Sequence, residues 1–515
     1  MNNLLELIKN RFDRNYAIGL TAIFLLIGTI TALHHEMWRD EIQSWLIARD
    51  STSLIDLYRN LKYEGHPGSW HLYLLILSRF TVSPWIMQVF HLLIATTTVY
   101  LFARYSPFTY VQKFLFSFGY FSLYEYAILC RNYAPGVLFI CLFSVLYQHR
   151  YAKFIWVSIV LLLLAHTTVH ALILAIVMSL ALLGEFFLNR KRILAEKAIN
   201  EWHIIIGFSL IGVGLLMSIP QVIPPLDNDF ALDTYTSYDP NRFANVIKII
   251  TYAFFPVPEA TLHFWESRWL EQFPFYAKTQ VVLSCFLMVW FSLVLFRKPI
   301  VWLTFVFGTV GLLILFYTKY YGSIRHHGFI FLLFIMSAWI YQYCEVSKWP
   351  ALIDRFAVIW QKSYNPLLTF ILIFHLIGGI IAVSIDYRYV FSNGKATADF
   401  IKAEGMQEML MVGEKDSAVS TVVGYLGKDL IYYPRSHRYG SYIIWDQKRS
   451  SSASDDQIIR SAKKIGGEHK QDVLIVLNRM LEPNIILQNS IKELESFTGS
   501  IVGSEDFYLY LISPE

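Results

Sequence analysis

The chain has 515 residues, of which 55% are hydrophobic and only 16% are charged, and its mean hydropathy is +0.43. This composition excludes an ordinary soluble protein and predicts a polytopic membrane protein. The net charge is only +4 and there is no basic patch suited to nucleic acid, so we expect no nucleic-acid partner. No glycine-rich phosphate-binding motif is present, so we expect no nucleotide cofactor. The four cysteines lack metal-binding spacing, which argues against zinc and against a disulfide framework.

Apolar segments follow one another from the N-terminus to about residue 386. They lie near residues 16–34, 69–82, 84–103, 107–126, 128–148, 153–167, 168–188, 203–222, 279–297, 299–318, 325–343 and 367–386. Lysine and arginine in short connectors mark the cytoplasmic side of a membrane. Such connectors are residues 9–14, 190–197, 297–298 and 348–362. The alternation therefore predicts a cytoplasmic N-terminus and a chain that lies outside after residue 387.

The same alternation of basic connectors requires that one apolar segment between residues 34 and 190 does not cross the membrane. The segment 69–82 is short and follows a proline, so we expect it to lie at the interface. This predicts about eleven crossings, with thirteen as the alternative. It also predicts that the polar loops at 34–66, 131–133, 166–170, 223–278 and 325–327 share the outer face.

The first external loop, 34–68, opens with a polar cluster. Asp40 and Glu41 follow the first apolar segment directly, where ionisable groups are costly and usually functional. Such a carboxylate can act as a general base on a hydroxyl or hold a metal ion. The alternative is an acidic cap for the following helix. Helical spacing over residues 40–62 predicts an amphipathic helix lying flat on the bilayer.

Further polar residues on the outer face are candidate substrate ligands. His66, near the end of the first loop, suits a phosphate or an acceptor, or is simply a polar loop residue. Arg131, with Tyr133 nearby, suits a lipid phosphate because a guanidinium matches phosphate oxygens, although it could instead reach the headgroups as an interfacial arginine. His166 and His170 have the spacing of two metal ligands on a helix, but two are too few, and a polar pocket wall is the other interpretation.

A cationic cluster opens the segment 325–343. Arg325 and His326 stand at a predicted helix start after several tyrosines, which suits a phosphate. The alternative is an interfacial anchor.

Residues 390–515 lack long apolar runs and predict an extracytoplasmic α/β domain, separate from the membrane domain 1–389. Five segments predict strands: 419–423, 430–433, 442–445, 473–477 and 507–512. Ser454 and Gln457 form a capping box for a helix ending near 466–467.

Together these motifs resemble the GT-C class of membrane glycosyltransferases, which take sugars from polyprenyl-phosphate carriers. The class includes the aminoarabinose lipid A transferases and the protein O-mannosyltransferases. The matching motifs are 38–41 (WRDE), 64–67 (EGHP), 125–133 (EYAILCRNY), 166–170 (HTTVH) and 322–327 (GSIRHH), followed by a tail like that of the aminoarabinose type. The resemblance covers nearly the whole chain. It departs at His66, where the lipid A enzymes carry lysine, and at the histidine pair 326–327, which replaces another lysine.

The resemblance implies an inverting glycosyltransferase acting at the outer face of the cell membrane. Asp40 would be the catalytic acid-base residue with Glu41 beside it, and Arg131 and Arg325 would bind the carrier phosphate. The sugar donor would be a polyprenyl-phosphate sugar, while the acceptor and any requirement for a divalent cation stay open. A transporter or flippase for lipid-linked sugars is the alternative, and a non-catalytic scaffold is a third.

Overall fold

The structure is a computed structural model that describes residues 2–195, 199–229, 234–347 and 351–514. Residues 196–197 of one predicted basic connector and residues 348–350 of another lie outside these ranges. Within them the helices are α1 (Asn2–His34), α2 (Arg39–Asp50), α3 (Leu54–Asn60), α4 (Ser69–Leu77), α5 (Trp85–Tyr105), α6 (Tyr110–Ser117), α7 (Tyr133–Tyr147), α8 (Phe154–Ala165), α9 (Val169–Ala195), α10 (Glu201–Ser218), α11 (Pro240–Phe254), α12 (Pro274–Leu295), α13 (Pro299–Thr318), α14 (Ile324–Tyr341), α15 (Ala351–Arg388), α16 (Gly394–Ala403), α17 (Asp416–Leu426), α18 (Asp455–His469) and α19 (Pro483–Gln488).

Among the described residues, eight helices are long and apolar enough to cross a membrane. They span Lys9–His34, Trp85–Tyr105, Val169–Ile193, Glu201–Val222, Pro274–Leu295, Pro299–Thr318, Ile324–Tyr341 and Val358–Arg388. The chain is therefore a polytopic helical membrane protein, although the eleven crossings predicted above are not confirmed by this count. The apolar helices α7 and α8 are shorter, at 15 and 12 residues. The segment predicted not to cross contains α4, whose nine residues are too short for a bilayer.

Small residues bring some of these helices close together. At Gly207 on α10, an added Cβ would come within 2.5 Å of the Phe154 ring on α8. In lipid, where apolar side chains gain little from leaving the solvent, such close backbone approach is a main source of helix–helix packing.

The loop after α1, residues 34–68, differs from the predicted single helix over 40–62. It forms two helices, α2 and α3, and α2 does not lie flat on a bilayer because its residues from Glu41 to Arg49 are all buried. α2 packs between α4 and α17. The shorter α3 keeps an exposed apolar face with Leu54, Ile55 and Tyr58.

The C-terminal region forms a six-stranded mixed sheet. Its strands are β1 (Leu410–Gly413), β2 (Ile431–Tyr433), β3 (Arg438–Gly440), β4 (Val473–Leu477), β5 (Lys492–Phe497) and β6 (Phe507–Ile512), in the spatial order β3-β2-β1-β4-β6-β5. β1 pairs in parallel with β2 and β4, with Val412 opposite Ile475, while the outer pairs are antiparallel. Strand predictions for 430–433, 473–477 and 507–512 match β2, β4 and β6 to within one residue. The Ser454–Gln457 capping box also forms, with its helix running on to His469.

Two strand predictions are wrong. Residues 419–423 lie in the middle of α17, because parallel neighbours β1 and β2 need a crossover connection and the helix supplies it. Gly427 caps the end of α17 and takes the left-handed conformation with φ 71°. Residues 442–445 form no strand, because the amide of Gln43 on α2 bonds both the N–H and the carbonyl of Ile443.

The sheet region is joined to the loop 34–68 by direct contacts. At Gly424 on α17, a Cβ would come within 2.4 Å of the Ile42 side chain on α2, so only glycine allows this approach. The Met37 N–H donates to the Tyr425 hydroxyl at 2.7 Å, and the Arg39 N–H donates to Glu505 at 2.9 Å. α2 is thereby fixed between the membrane helices and the C-terminal sheet region.

Candidate active site

Three charged side chains from distant parts of the chain meet at the start of α2. The Oδ2 atom of Asp40 lies 3.5 Å from Nη2 of Arg325 and 3.9 Å from Nη2 of Arg131. Arg131 also donates from Nη1 to the backbone carbonyl of Asp40. The Asp40 side chain is 31% exposed, whereas each arginine side chain is 13% exposed. Asp40 is thus open to a reactant while both cations are largely enclosed.

Arg325 is held by an aromatic and acidic wall. Its guanidinium lies 5.1 Å from the ring centre of Trp265 and 5.7 Å from that of Trp38. Its Nη1 donates to Glu266 at 2.7 Å. Stacking on aromatic faces and a forked hydrogen-bonding head are properties of arginine that lysine lacks. The Nε atoms of Arg325 and Arg131 are buried and have no hydrogen-bond partner among the described residues.

Glu41 faces away from solvent, and both of its oxygens are occupied. Its side chain is fully buried. Oε1 accepts the Cys130 N–H at 2.5 Å, and Oε2 accepts from the Trp38 N–H and from Nε2 of His35, both at 3.1 Å. Since Cys130 directly precedes Arg131, this carboxylate holds the arginine's backbone against the start of α2.

We expect Glu41→Gln to destabilise the fold by about 1–3 kcal/mol, because a glutamine cannot accept from all three donors and would leave one buried N–H unpaired. The unfolding midpoint in lipid nanodiscs should fall. Glu408→Gln, at an exposed carboxylate, is the matched control and should leave the midpoint unchanged. An unchanged midpoint for Glu41→Gln would contradict the holding role.

His66 lies near the charged side chains of Asp40, Arg131 and Arg325. Burial, with Arg131 and Arg325 nearby, lowers the pKa of His66 to about 4, so the ring is neutral at neutral pH. Its Nδ1 is buried without a partner among the described residues. Burial raises the pKa of Glu64, and this effect outweighs the nearby charge of Arg131, which lowers it. His66 can therefore offer a neutral hydrogen bond beside the two arginines.

Tyr133, His170 and His326 form a second, aromatic group next to the charged one. The Ser323 N–H donates to Nδ1 of His326 at 2.9 Å, so a neutral His326 ring carries its proton on Nε2 and donates to the Tyr133 hydroxyl at 2.7 Å. The His170 ring stacks on His326 with centres 4.9 Å apart. Both nitrogens of His170 are buried and have no partner in the described part of the chain.

His166 is placed differently from the other site candidates. Its Nδ1 bonds the Leu162 carbonyl at 2.8 Å, and its own carbonyl accepts from the Ser69 hydroxyl at 2.6 Å. It therefore ends α8 and positions the start of α4, and none of its described contacts reaches Asp40, Arg131 or Arg325. Across the described residues there is also no group of three or more histidine, cysteine, aspartate or glutamate side chains arranged to hold a metal ion.

Trp265 and Glu266 were not predicted from the sequence. They belong to the loop between α11 and α12, where nothing in the pattern indicates which side chain turns inward. Glu266 adopts φ 64°, a conformation that is uncommon outside glycine and concentrates at functional sites. The sequence offered only one weak signal for a role of these residues, a tryptophan next to an acid in a loop predicted to lie on the outer face.

A search of protein-family models and of curated proteins finds neither a family nor a relative that matches this chain.

Proposed function

We propose that the protein is an inverting glycosyltransferase that moves a sugar from a polyprenyl-phosphate carrier to an acceptor at the outer face of the membrane. One observation carries this proposal: the partly exposed carboxylate of Asp40 lies next to two largely buried guanidinium groups, those of Arg131 and Arg325. A base beside two phosphate-binding cations is what transfer from a phosphate leaving group requires.

In the proposed reaction, the oxygen of an acceptor hydroxyl attacks the anomeric carbon on the face opposite the phosphate. The new glycosidic bond forms as the bond from the anomeric carbon to the phosphate oxygen breaks, so the configuration inverts. Asp40 takes the hydroxyl proton. The leaving polyprenyl phosphate keeps the bonding electron pair, and Arg131 and Arg325 stabilise the added negative charge.

The other candidates serve as surrounding ligands in this proposal. His66, neutral and unpaired, donates to a sugar hydroxyl or phosphate oxygen. Tyr133, His170 and His326 line the wall next to Arg325. Glu41 positions the Arg131 segment, and His166 positions the first loop through Ser69. The start of α14, which carries Arg325 and the positive end of the helix dipole, favours an anion.

The proposal places the site at the extracytoplasmic end of eleven crossings, with the N-terminus in the cytoplasm. Contacts among loops support a common end: Ser69 bonds His166, Gly68 bonds Gln221 and Asp239 bonds Tyr317. Opposite these, Asp13 bonds Tyr110 and Arg192 pairs with Glu345. The exposed apolar face of α3 would rest on the outer leaflet, from which a polyprenyl carrier would enter sideways.

The test is a reconstituted transfer reaction. The purified chain in liposomes is supplied with undecaprenyl-phosphate mannose, glucose or aminoarabinose, each with labelled sugar, and with a cell-envelope extract as acceptor. We expect a new glycosidic product with inverted configuration and release of polyprenyl phosphate from one of the donors. Movement of the labelled lipid across the bilayer without any glycosidic product would refute the proposal and favour a flippase.

A further inference from the structure

A polar cleft lies between the far end of α2 and the C-terminal sheet region. Its volume is about 510 Å³, within the range of ligand-binding clefts. Arg49 and Asp50 at the end of α2 form one wall, and Asp429, Tyr433, Tyr439 and Tyr442 belong to the other side. The cleft is therefore shared between the proposed catalytic loop and the C-terminal region.

Two enclosed side chains that line the cleft have unpaired polar atoms. Tyr433 is 1% exposed, and its hydroxyl has no hydrogen-bond partner among the described residues. Arg49 is 8% exposed, and its Nη1 is likewise unpaired. Buried polar atoms in proteins are nearly always paired, so these two atoms are candidate partners for the hydrogen-bonding groups of a ligand in the cleft.

The charges around the cleft compensate one another. Arg49 donates to Asp50 at 2.6 Å and lies 3.8 Å from Asp429. Asp416 receives two bonds from Arg449, at 2.7 and 2.8 Å. A strongly charged ligand would have to displace these partners. A neutral ligand with many hydroxyls can donate to the carboxylates and accept from the arginine without displacing them.

The tyrosines supply the remaining feature of a carbohydrate site. Tyr439 is 47% exposed and Tyr442 is half-buried, so both rings are available to apolar faces. A tyrosine combines an apolar ring with a polar tip, which suits the alternating C–H and O–H groups of a sugar. We propose that this cleft binds a neutral oligosaccharide.

The position of the cleft assigns the oligosaccharide a role, which rests on the proposed glycosyl transfer. Asp40 and Asp50 stand at opposite ends of α2, about 15 Å apart along its axis. Between them, the Ser441 hydroxyl bonds Asp50 and Gln43 bonds Ile443, so residues 441–443 run along α2 from the cleft toward Asp40. The ligand is thus a distal part of a glycan acceptor, whose binding orients the end that reaches Asp40.

Binding is tested on the full chain in lipid nanodiscs, without sugar-headed detergents that would compete. Cellotetraose, maltotetraose and chitotetraose are each titrated and followed by saturation-transfer-difference NMR, with inorganic phosphate as a separate titration. We expect at least one tetrasaccharide to bind. Tyr439→Ala and Asp429→Asn, both at exposed positions, should each weaken it by about tenfold. Tyr238→Ala, at an exposed tyrosine that does not line the cleft, is the matched control.

Failure of all three tetrasaccharides to bind, binding that both cleft variants leave unchanged, or binding of phosphate alone would overturn the proposal. The Asp40→Asn variant separates this site from the catalytic one. A parent chain that binds a tetrasaccharide but transfers no sugar contradicts only the proposed function, whereas Asp40→Asn is expected to bind it and transfer little. A chain that transfers sugar but binds no tetrasaccharide contradicts only the cleft.

Discussion

Replacing Asp40 with asparagine is expected to lower the rate of sugar transfer by about 10²–10⁴, the usual contribution of a general base. Asparagine has nearly the same shape and can still accept from Arg325 and Arg131. It cannot take a proton from the acceptor hydroxyl. The change therefore removes the proposed chemistry while it leaves the neighbouring contacts in place.

The measurement is the initial rate of glycosidic product formation by purified chain at saturating donor. The unfolding midpoint should stay near that of the parent protein, because the Asp40 side chain is 31% exposed and its two ion pairs are long, at 3.5 and 3.9 Å. Asp456→Asn, at an exposed aspartate in the first turn of α18, controls for the loss of an acidic group. A fully active Asp40→Asn protein would show that Asp40 is not the general base.

Hydrophobic patterning and charge alternation predicted the membrane class and the face on which the polar residues gather. Asp40 and Arg325 are 285 residues apart in the chain, yet their side chains meet. The prediction that such residues share one face used the rule that basic connectors mark the cytoplasmic side, and the side on which Asp40 and Arg325 lie stays a prediction. The sequence could not give distances, since those depend on how the helices pack.

The sequence did not separate Asp40 from its neighbour. Both were predicted as catalytic residues, but successive helix positions point about 100° apart, and only tertiary packing decides which one faces inward. In the structure Glu41 is the buried one, with His35, Trp38 and Cys130 around it. The sequence had no local signal for this.

The C-terminal region shows where local patterns suffice. β4 and β6 are continuous apolar runs buried in the sheet, and their bounds were predicted to the residue. Residues 419–423 are as rich in valine as a strand, but Ala418, Val422 and the capping Gly427 also fit a helix. Without the neighbouring strands, the sequence alone could not choose between the two.

Replacing Arg325 with glutamine is expected to have the second large effect. Glutamine loses the positive charge opposite the departing phosphate, which should lower kcat by about 10²–10³, as removal of one stabilising donor does. The KM for the polyprenyl-phosphate sugar should rise more than the KM for the acceptor. Arg325→Lys should recover only part of the rate, since lysine keeps the charge but loses the fork and the stacking on Trp38 and Trp265.

These constants come from initial rates with donor and acceptor varied separately. Arg388→Gln, at an exposed arginine at the end of α15, is the matched control and should leave both KM values unchanged. Arg325 also pairs with Glu266 at 2.7 Å, so its loss could act only through the fold. A structural role alone would reduce the unfolding midpoint and the amount of active protein, without changing the donor KM or favouring Lys over Gln. A selective rise in donor KM with partial rescue by lysine is therefore the result that assigns Arg325 to the phosphate, and equal changes for both substrates would remove that assignment.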